Sequence, residues 1–274
     1  MRRSWLSFPY LVWMIIFTVV PLALILFYSV VKIEDGGIFL TMGNFKRVLE
    51  PIYLAVFLRS IKIAIISTSI CLLLGYPMAM ILASKELSNK SILVVLFVIP
   101  MWMNFLARTY AWMTLLEKNG LIATFFNLLG IELPMLLYTE GTVILGMVYN
   151  FLPFMVLPIY SVLVKIDKAV LEAAEDLGAP PTIVFRRVIF PLSLPGVTSG
   201  IIMVFMPALT TFVISRLLGG AHFTLIGNLI EQQFLTTRDW GFGSALSVVL
   251  MLMIVLTMGF ALRYEKENEG GGLW

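Results

Sequence analysis

Ionisable and polar side chains set inside long apolar runs are the residues of this sequence that could do chemistry, because hydrocarbon makes each of them costly. Arg108 and Arg216 are two such cations. Trp102, Asn104, Tyr110 and Trp112 surround Arg108, and Tyr149-Asn150 followed by Pro153 interrupts another apolar run. A guanidinium so placed lines a pathway, pairs with a neighbouring subunit or snorkels to the membrane surface. Aromatic faces attract cations, and polar, proline-broken backbone is tolerated where it faces a cavity or other protein. Trp102, Asn104, Arg108, Tyr110, Tyr149, Asn150 and Arg216 are therefore the candidates for a translocation pathway. For each of them helix packing, an interfacial aromatic belt or snorkelling is the alternative.

The chemistry that is missing is equally informative. The apolar runs contain no Asp or Glu, whereas proton-driven carriers and pumps use an intramembrane carboxylate or histidine relay. One histidine, His222, and one cysteine, Cys71, exclude a His-pair metal site and an internal disulfide. Cys71 lies in an apolar run and reads as a small core residue. Paired acids or metal ligands for an intramembrane protease are lacking, and no nucleophile-elbow pattern supports serine hydrolysis. The sequence has no Gly-Lys dipeptide and hence no phosphate-cradling P-loop. No catalytic residue, metal or cofactor is expected on this chain; if ATP drives it, another chain hydrolyses the ATP.

The elements that must position these residues follow from composition. Of 274 residues, 60% are apolar, aromatic or Cys and 13% are charged, with a mean hydropathy of +0.98. Ordinary soluble domains carry about 25% charged residues, so a water-soluble enzyme is excluded. The apolar runs predict an all-α membrane protein of six spans in lipid, near 8–31, 63–83, 92–116, 142–164, 195–218 and 243–262. Together they make one membrane domain over 1–264. Pro21 permits a kink in the first span, Pro100 breaks the third, and Pro153 and Pro158 lie in the fourth. The first run is too long for a cleaved leader and lacks a small-residue cleavage site. Gly196 and Gly200 form a small-xxx-small pattern opening the fifth span. Residues 265–274 read as a frayed polar tail.

The net charge of +3 reports topology here and not nucleic acid. With the N-terminus inside, the inner segments hold Arg2, Arg3, Lys85, Lys90, Lys165, Lys168, Arg186, Arg187, Arg263 and Lys266. The outer ones hold Lys32, Lys46, Arg47, Arg59, Lys118 and Arg238. Ten against six favours this orientation, with both termini cytoplasmic. The first outer loop, 32–62, is long enough to fold, and its stretch 44–59 suits the membrane interface.

Between spans four and five, residues 165–194 are too polar to span and too patterned to be slack. Asp167 can cap a helix running to Leu177, with Glu172 in its early turns and Val170, Leu171, Ala173, Ala174 and Leu177 as apolar positions. Gly178 supplies a positive-φ turn. Pro180-Pro181 start a second short helix, 182–189, ending at Pro191. The expected object is a helix-turn-helix lug whose small Ala residues permit close docking into a partner's groove, with Glu172 and Asp176 as charges at the rim.

Glu172-Ala173-Ala174, then Gly178, then Val188-Ile189-Phe190-Pro191, resemble the EAA loop of binding-protein-dependent ABC importer permeases. The usual ending is Ile-x-Leu-Pro, so Val188 and Phe190 depart from it mildly. Leu74-Gly75-Tyr76-Pro77, the segment from Pro100 to Tyr110, 217–221, Ile226-Gly227-Asn228 and Arg238-Asp239-Trp240 extend the likeness over nearly the whole chain. It is similar to the B-type permease subunits of spermidine/putrescine importers. The resemblance implies the type I importer architecture in a bacterial inner membrane. It implies a second related permease, two ATPase subunits that bind ATP and Mg, and an extracytoplasmic polyamine-binding protein. It also makes Glu172, Ala173, Ala174, Asp176, Leu177, Gly178 and Ala179 the surface that couples to the ATPase. Two arginines and no acid in the spans suit an anion such as sulfate, a phosphonate or an iron complex better than a polycation. Polyamine transport would then call for acids from the partner permease, acids in the outer loops (Glu140, Glu231, Asp239), or a pathway that binds substrate only weakly. A stand-alone carrier or channel, or a non-transport scaffold, is the remaining reading.

Overall fold

The computed structural model describes residues 8–34, 37–84, 90–132, 134–220 and 223–270. Arg2, Arg3, Lys85, Ala221 and His222 lie outside them, as do 271–274 of the expected tail. The described residues are predominantly helical and group into two compact units, one from 1–58 with 226–257 and one from 59–225 with 258–274.

In the first unit, α1 (Phe8–Met14) and α2 (Val20–Ser29) are joined by a π-turn, Ile15–Val19. Pro21 explains the turn: it has no N–H and its ring crowds the carbonyl four residues back. The chain widens, and the Val20 N–H reaches the Ile15 carbonyl. No side chain from Pro9 to Tyr28 is buried. The segment after α2 folds into a hairpin, β1 (Val31–Glu34) antiparallel to β2 (Gly37–Leu40), paired from Val31↔Leu40 to Glu34↔Gly37. Helix α3 (Gly43–Val48) follows, and its Asn44 Nδ2 donates to the Ser29 carbonyl at 3.2 Å.

Helix α4 (Pro51–Ala83) begins well before the expected span at 63, so the stretch 44–59 is divided between α3 and the first turns of α4. Its apolar pattern continues past the length that a bilayer demands. The expected third span is two helices, α5 (Lys90–Trp102) and α6 (Phe105–Leu116), followed by α7 (Leu121–Leu128). Ile92–Trp102 and Phe105–Leu128 meet at 88°. The break falls after Pro100, at Asn104, whose side chain accepts from the Leu106 and Ala107 N–H groups at 2.8 and 3.2 Å and so starts a new helix.

The core of the second unit is α8 (Glu140–Leu163) against α11 (Phe190–Thr210). The glycine pattern finds its purpose here. A Cβ on Gly196 would lie 2.9 Å from the Pro158 carbonyl oxygen, and one on Gly200 would lie 2.8 Å from the Met155 sulfur. Met155, Val156 and Ile159 are fully buried at this crossing. Between these helices run α9 (Lys168–Asp176), α10 (Pro181–Val184) and a second π-turn, Phe185–Ile189. Pro191 was expected to end a helix, yet the chain stays helical from Pro181 to Thr210. As at Pro21, the turn before the proline widens, with the Phe190 N–H on the Phe185 carbonyl. The expected fifth span, in contrast, ends early. Thr211 is extended, and α12 (Val213–Gly219) is a separate helix that carries Arg216.

Helix α13 (Ile226–Gln232) and a π-turn, Gln233–Thr237, lead to α14 (Trp240–Gly270). Residues 265–270, expected as a frayed tail, continue that helix, because Glu and Lys are good helix formers. Among the described residues five helices are long and apolar enough to cross a membrane, and the bent pair makes six if it counts as one span.

Candidate functional site

The loop 165–194 is built by local rules that can be followed atom by atom. Asp167 Oδ1 accepts from the Ala169 N–H at 3.0 Å, satisfying an orphan donor at the start of α9. At the other end Gly178 has φ +73°. The Gly178 N–H donates to the Glu175 carbonyl at 2.8 Å and the Ala179 N–H to the Ala174 carbonyl at 3.2 Å. That pair of reversed bonds is the Schellman closure. A helix of 9 residues, too short to persist alone, is thus fixed at both ends. Its surface is open: Glu172, Ala173, Asp176 and Gly178 are exposed, Ala174 and Ala179 are half-buried, and Leu177 is 88% exposed. Val170 and Ile183 are exposed beside them. Apolar side chains so displayed among Glu172, Glu175, Asp176, Arg186 and Arg187 make an adhesive patch with a charged rim.

The pathway candidates sit in different local settings. Trp102 is 82% exposed at the end of α5, Asn104 is engaged in capping α6, and Tyr110 is exposed. Arg216 is exposed in the last turn of α12, where its charge suits the helix dipole. The structure does bring Arg108 and Tyr149 together. Arg108 is buried, and its guanidinium carbon lies 5.9 Å from the centroid of the Tyr149 ring. Trp112, which was noticed in the sequence only as a neighbour, packs edge-on to Tyr149 at 5.4 Å. The Arg108 Nε–H has no hydrogen-bond partner. Asn150, buried next to Tyr149 in sequence, donates from Nδ2 to the Gly146 carbonyl at 2.9 Å, and its Oδ1 accepts nothing.

Of the acids named as candidates to meet a polycation, Glu140 and Asp239 are both paired within the chain. Glu140 Oε1 accepts from Lys62 Nζ at 2.7 Å, and Asp239 Oδ2 accepts from Arg47 Nη1 at 2.8 Å. Asp239 also accepts the Phe242 N–H at 3.0 Å on Oδ1 and so caps α14, while the Arg47 guanidinium carbon sits 4.1 Å over the Phe242 ring. The hydrogen bond that Arg47 donates to Asp239 holds its guanidinium above its ordinary pKa. This explains the Arg238-Asp239-Trp240 motif: Arg238 turns the chain at φ +56°, and Asp239 starts the helix.

A patterned lug between two packed helices, on a chain with several helices apolar and long enough to cross a membrane, is the build of a multi-pass membrane protein. Comparison with known proteins makes the class specific. Residues 72–267 match the family model described as binding-protein-dependent transport system inner membrane component, and the chain belongs to that family. It is 40% identical over 251 residues to the spermidine/putrescine transport system permease protein PotB of Escherichia coli (strain K12), covering 90% of this chain and 91% of that one. The protein of the same name from Haemophilus influenzae is 39% identical over 260 residues, covering 93% and 91%. Among solved structures, a bacterial ABC transporter involved in import of the acidic polysaccharide alginate shares the fold. Its TM-score is 0.75 at 17% identity, with 96% of each chain covered.

Proposed function

We propose that this chain is a permease subunit of an ATP-driven importer that carries polyamines into a bacterial cytoplasm by alternating access. Its partners would be a second related permease, two ATPase subunits that hold ATP and Mg, and an extracytoplasmic polyamine-binding protein. Both termini and the lug would face the cytoplasm, and residues 1–264 would act as one permease domain. The observation that carries the reading is the doubly capped α9, with Leu177 standing 88% exposed at its end. The permeases named above supply the polyamine assignment. Closure of the ATPase pair would displace Glu172, Ala173, Ala174, Asp176, Leu177, Gly178 and Ala179 and swing the attached spans outward-open. This chain would meet the ammonium groups with aromatic faces, of which Tyr149, Trp112, Trp102 and Tyr110 are candidates. With Glu140 and Asp239 already paired, the second permease would supply most of the negative charge.

Labelled spermidine uptake in cells lacking this gene, with and without the wild-type copy, tests the reading. Restored, energy-dependent uptake competed by putrescine is expected. The same uptake in both strains, with other polyamine routes removed, would overturn the polyamine assignment. A second reading, the same importer class carrying a small anion, is favoured by the buried Arg108 with its unengaged Nε–H and by the absence of acids from the spans. Sulfate or phosphonate uptake dependent on Arg108 would support it.

A further inference from the structure

Tyr76 belongs to the Leu74-Gly75-Tyr76-Pro77 motif, and neither docking nor passage of substrate accounts for it. It is a buried residue near the end of α4, at the root of the lug. Its hydroxyl lies 2.8 Å from Ser193 Oγ, and Ser193 is fully buried. The direction of that bond can be deduced. Ser193 Oγ lies 2.9 Å from the Phe190 carbonyl oxygen, which can only accept, so the serine proton goes there. The tyrosine therefore donates to the serine. A continuous chain results: Tyr76 O–H to Ser193 Oγ, Ser193 O–H to the Phe190 carbonyl, and the Phe190 N–H back to the Phe185 carbonyl across the π-turn.

The ring of Tyr76 holds the same two residues from the side. Its centroid is 5.8 Å from that of Phe185, edge-on at 86°, and 5.9 Å from that of Phe190. Phe185 and Phe190 lie 6.2 Å apart. Both ends of the π-turn thus rest on one side chain. Each of the two helices is locally weakened at this point. Pro77 cannot donate to the carbonyl of Leu73, and Pro191 cannot donate to that of Arg187. Left alone, such turns would bend independently and absorb a push on the lug.

We propose that Tyr76 is a positioning residue that makes the lug, α4 and α11 move together, so that displacement of α9 reaches the spans. This rests on the importer reading. Ser193 is its partner, and the hydroxyl, beyond the ring, carries part of the effect.

The test uses the complete importer purified with its ATPase subunits and reconstituted in liposomes with the spermidine-loaded binding protein. Spermidine uptake and ATP hydrolysis are measured together. Tyr76→Phe keeps the ring and removes the hydroxyl. Uptake per ATP is expected to fall about five-fold, the equilibrium weight of one buried hydrogen bond, while hydrolysis persists. Ser193→Ala should give the same fall, and the double variant should be no worse than either single one, because the pair acts as a unit. A merely structural role would lower thermal stability and leave uptake per ATP unchanged; that outcome, or additive losses in the double variant, would overturn the proposal. Wild-type complex that hydrolyses ATP without any uptake would instead overturn the importer reading, and this proposal with it.

Discussion

The two π-turns that precede a proline are built by one local rule and sit in opposite surroundings. Ile15–Val19 ends two residues before Pro21 in a helix with no buried side chain from Pro9 to Tyr28. Phe185–Ile189 ends two residues before Pro191, and Tyr76 rests on its first residue, Phe185, and on Phe190, which closes it. Proline accounts for the existence of each turn. Whether a turn yields or transmits is decided by what holds it from outside, and the first has no such grip.

The largest expected effect lies at the lug that the second turn serves. Gly178→Asp and Glu172→Lys should abolish uptake while the protein still reaches the membrane, as measured by transport beside immunoblotting of membrane fractions. Normal ATP-driven uptake by both variants would sink the coupling assignment. Next, Pro191→Ala restores an N–H and lets the π-turn tighten to α, which rotates the lug against the span by about 100°, the turn of one α-helical residue. Uptake should fall several-fold, whereas Pro21→Ala should leave it unchanged. Equal effects at the two prolines would erase the contrast drawn here. Packing beneath the second turn comes third. Gly200→Leu forces side-chain atoms into Met155 and should destabilise the protein by about 1–3 kcal/mol, seen as a lower Tm in detergent. The smallest effect is local: Asp167→Ala should cost about 1 kcal/mol of α9 stability and speed amide exchange in that helix alone.

What could be read from sequence divides along the same line between local and tertiary causes. The cap at Asp167 and the reversal at Gly178 were legible because each is decided within a few residues of chain. The lug's exit was misread for the opposite reason. Pro191 ends helices when judged alone, but a widened turn lets the chain continue, and the proline itself does not say which of the two follows. The early end of the fifth span at Thr211 was hidden because the apolar pattern runs on unbroken into α12. Arg108 and Tyr149 were each singled out by polarity in an apolar run. Their meeting, and the engagement of Asn104 in a cap, depend on an 88° bend that composition does not encode. Tyr76 and Ser193 are 117 positions apart, and only the packed structure reveals them as partners.

A Cβ built on Gly178 would meet nothing within 4 Å, although φ is +73°. The restriction at this position is accordingly one of handedness and not of room. L-residues other than Asn and Asp suffer there from their own backbone, by about 1–2 kcal/mol. A D-alanine introduced by chemical ligation would sit without strain and should hold the end of α9 more firmly than glycine does, since it has fewer unfolded conformations to lose. The lug's most exacting residue is therefore selected by chirality, on a surface where a partner would still find all the space it needs.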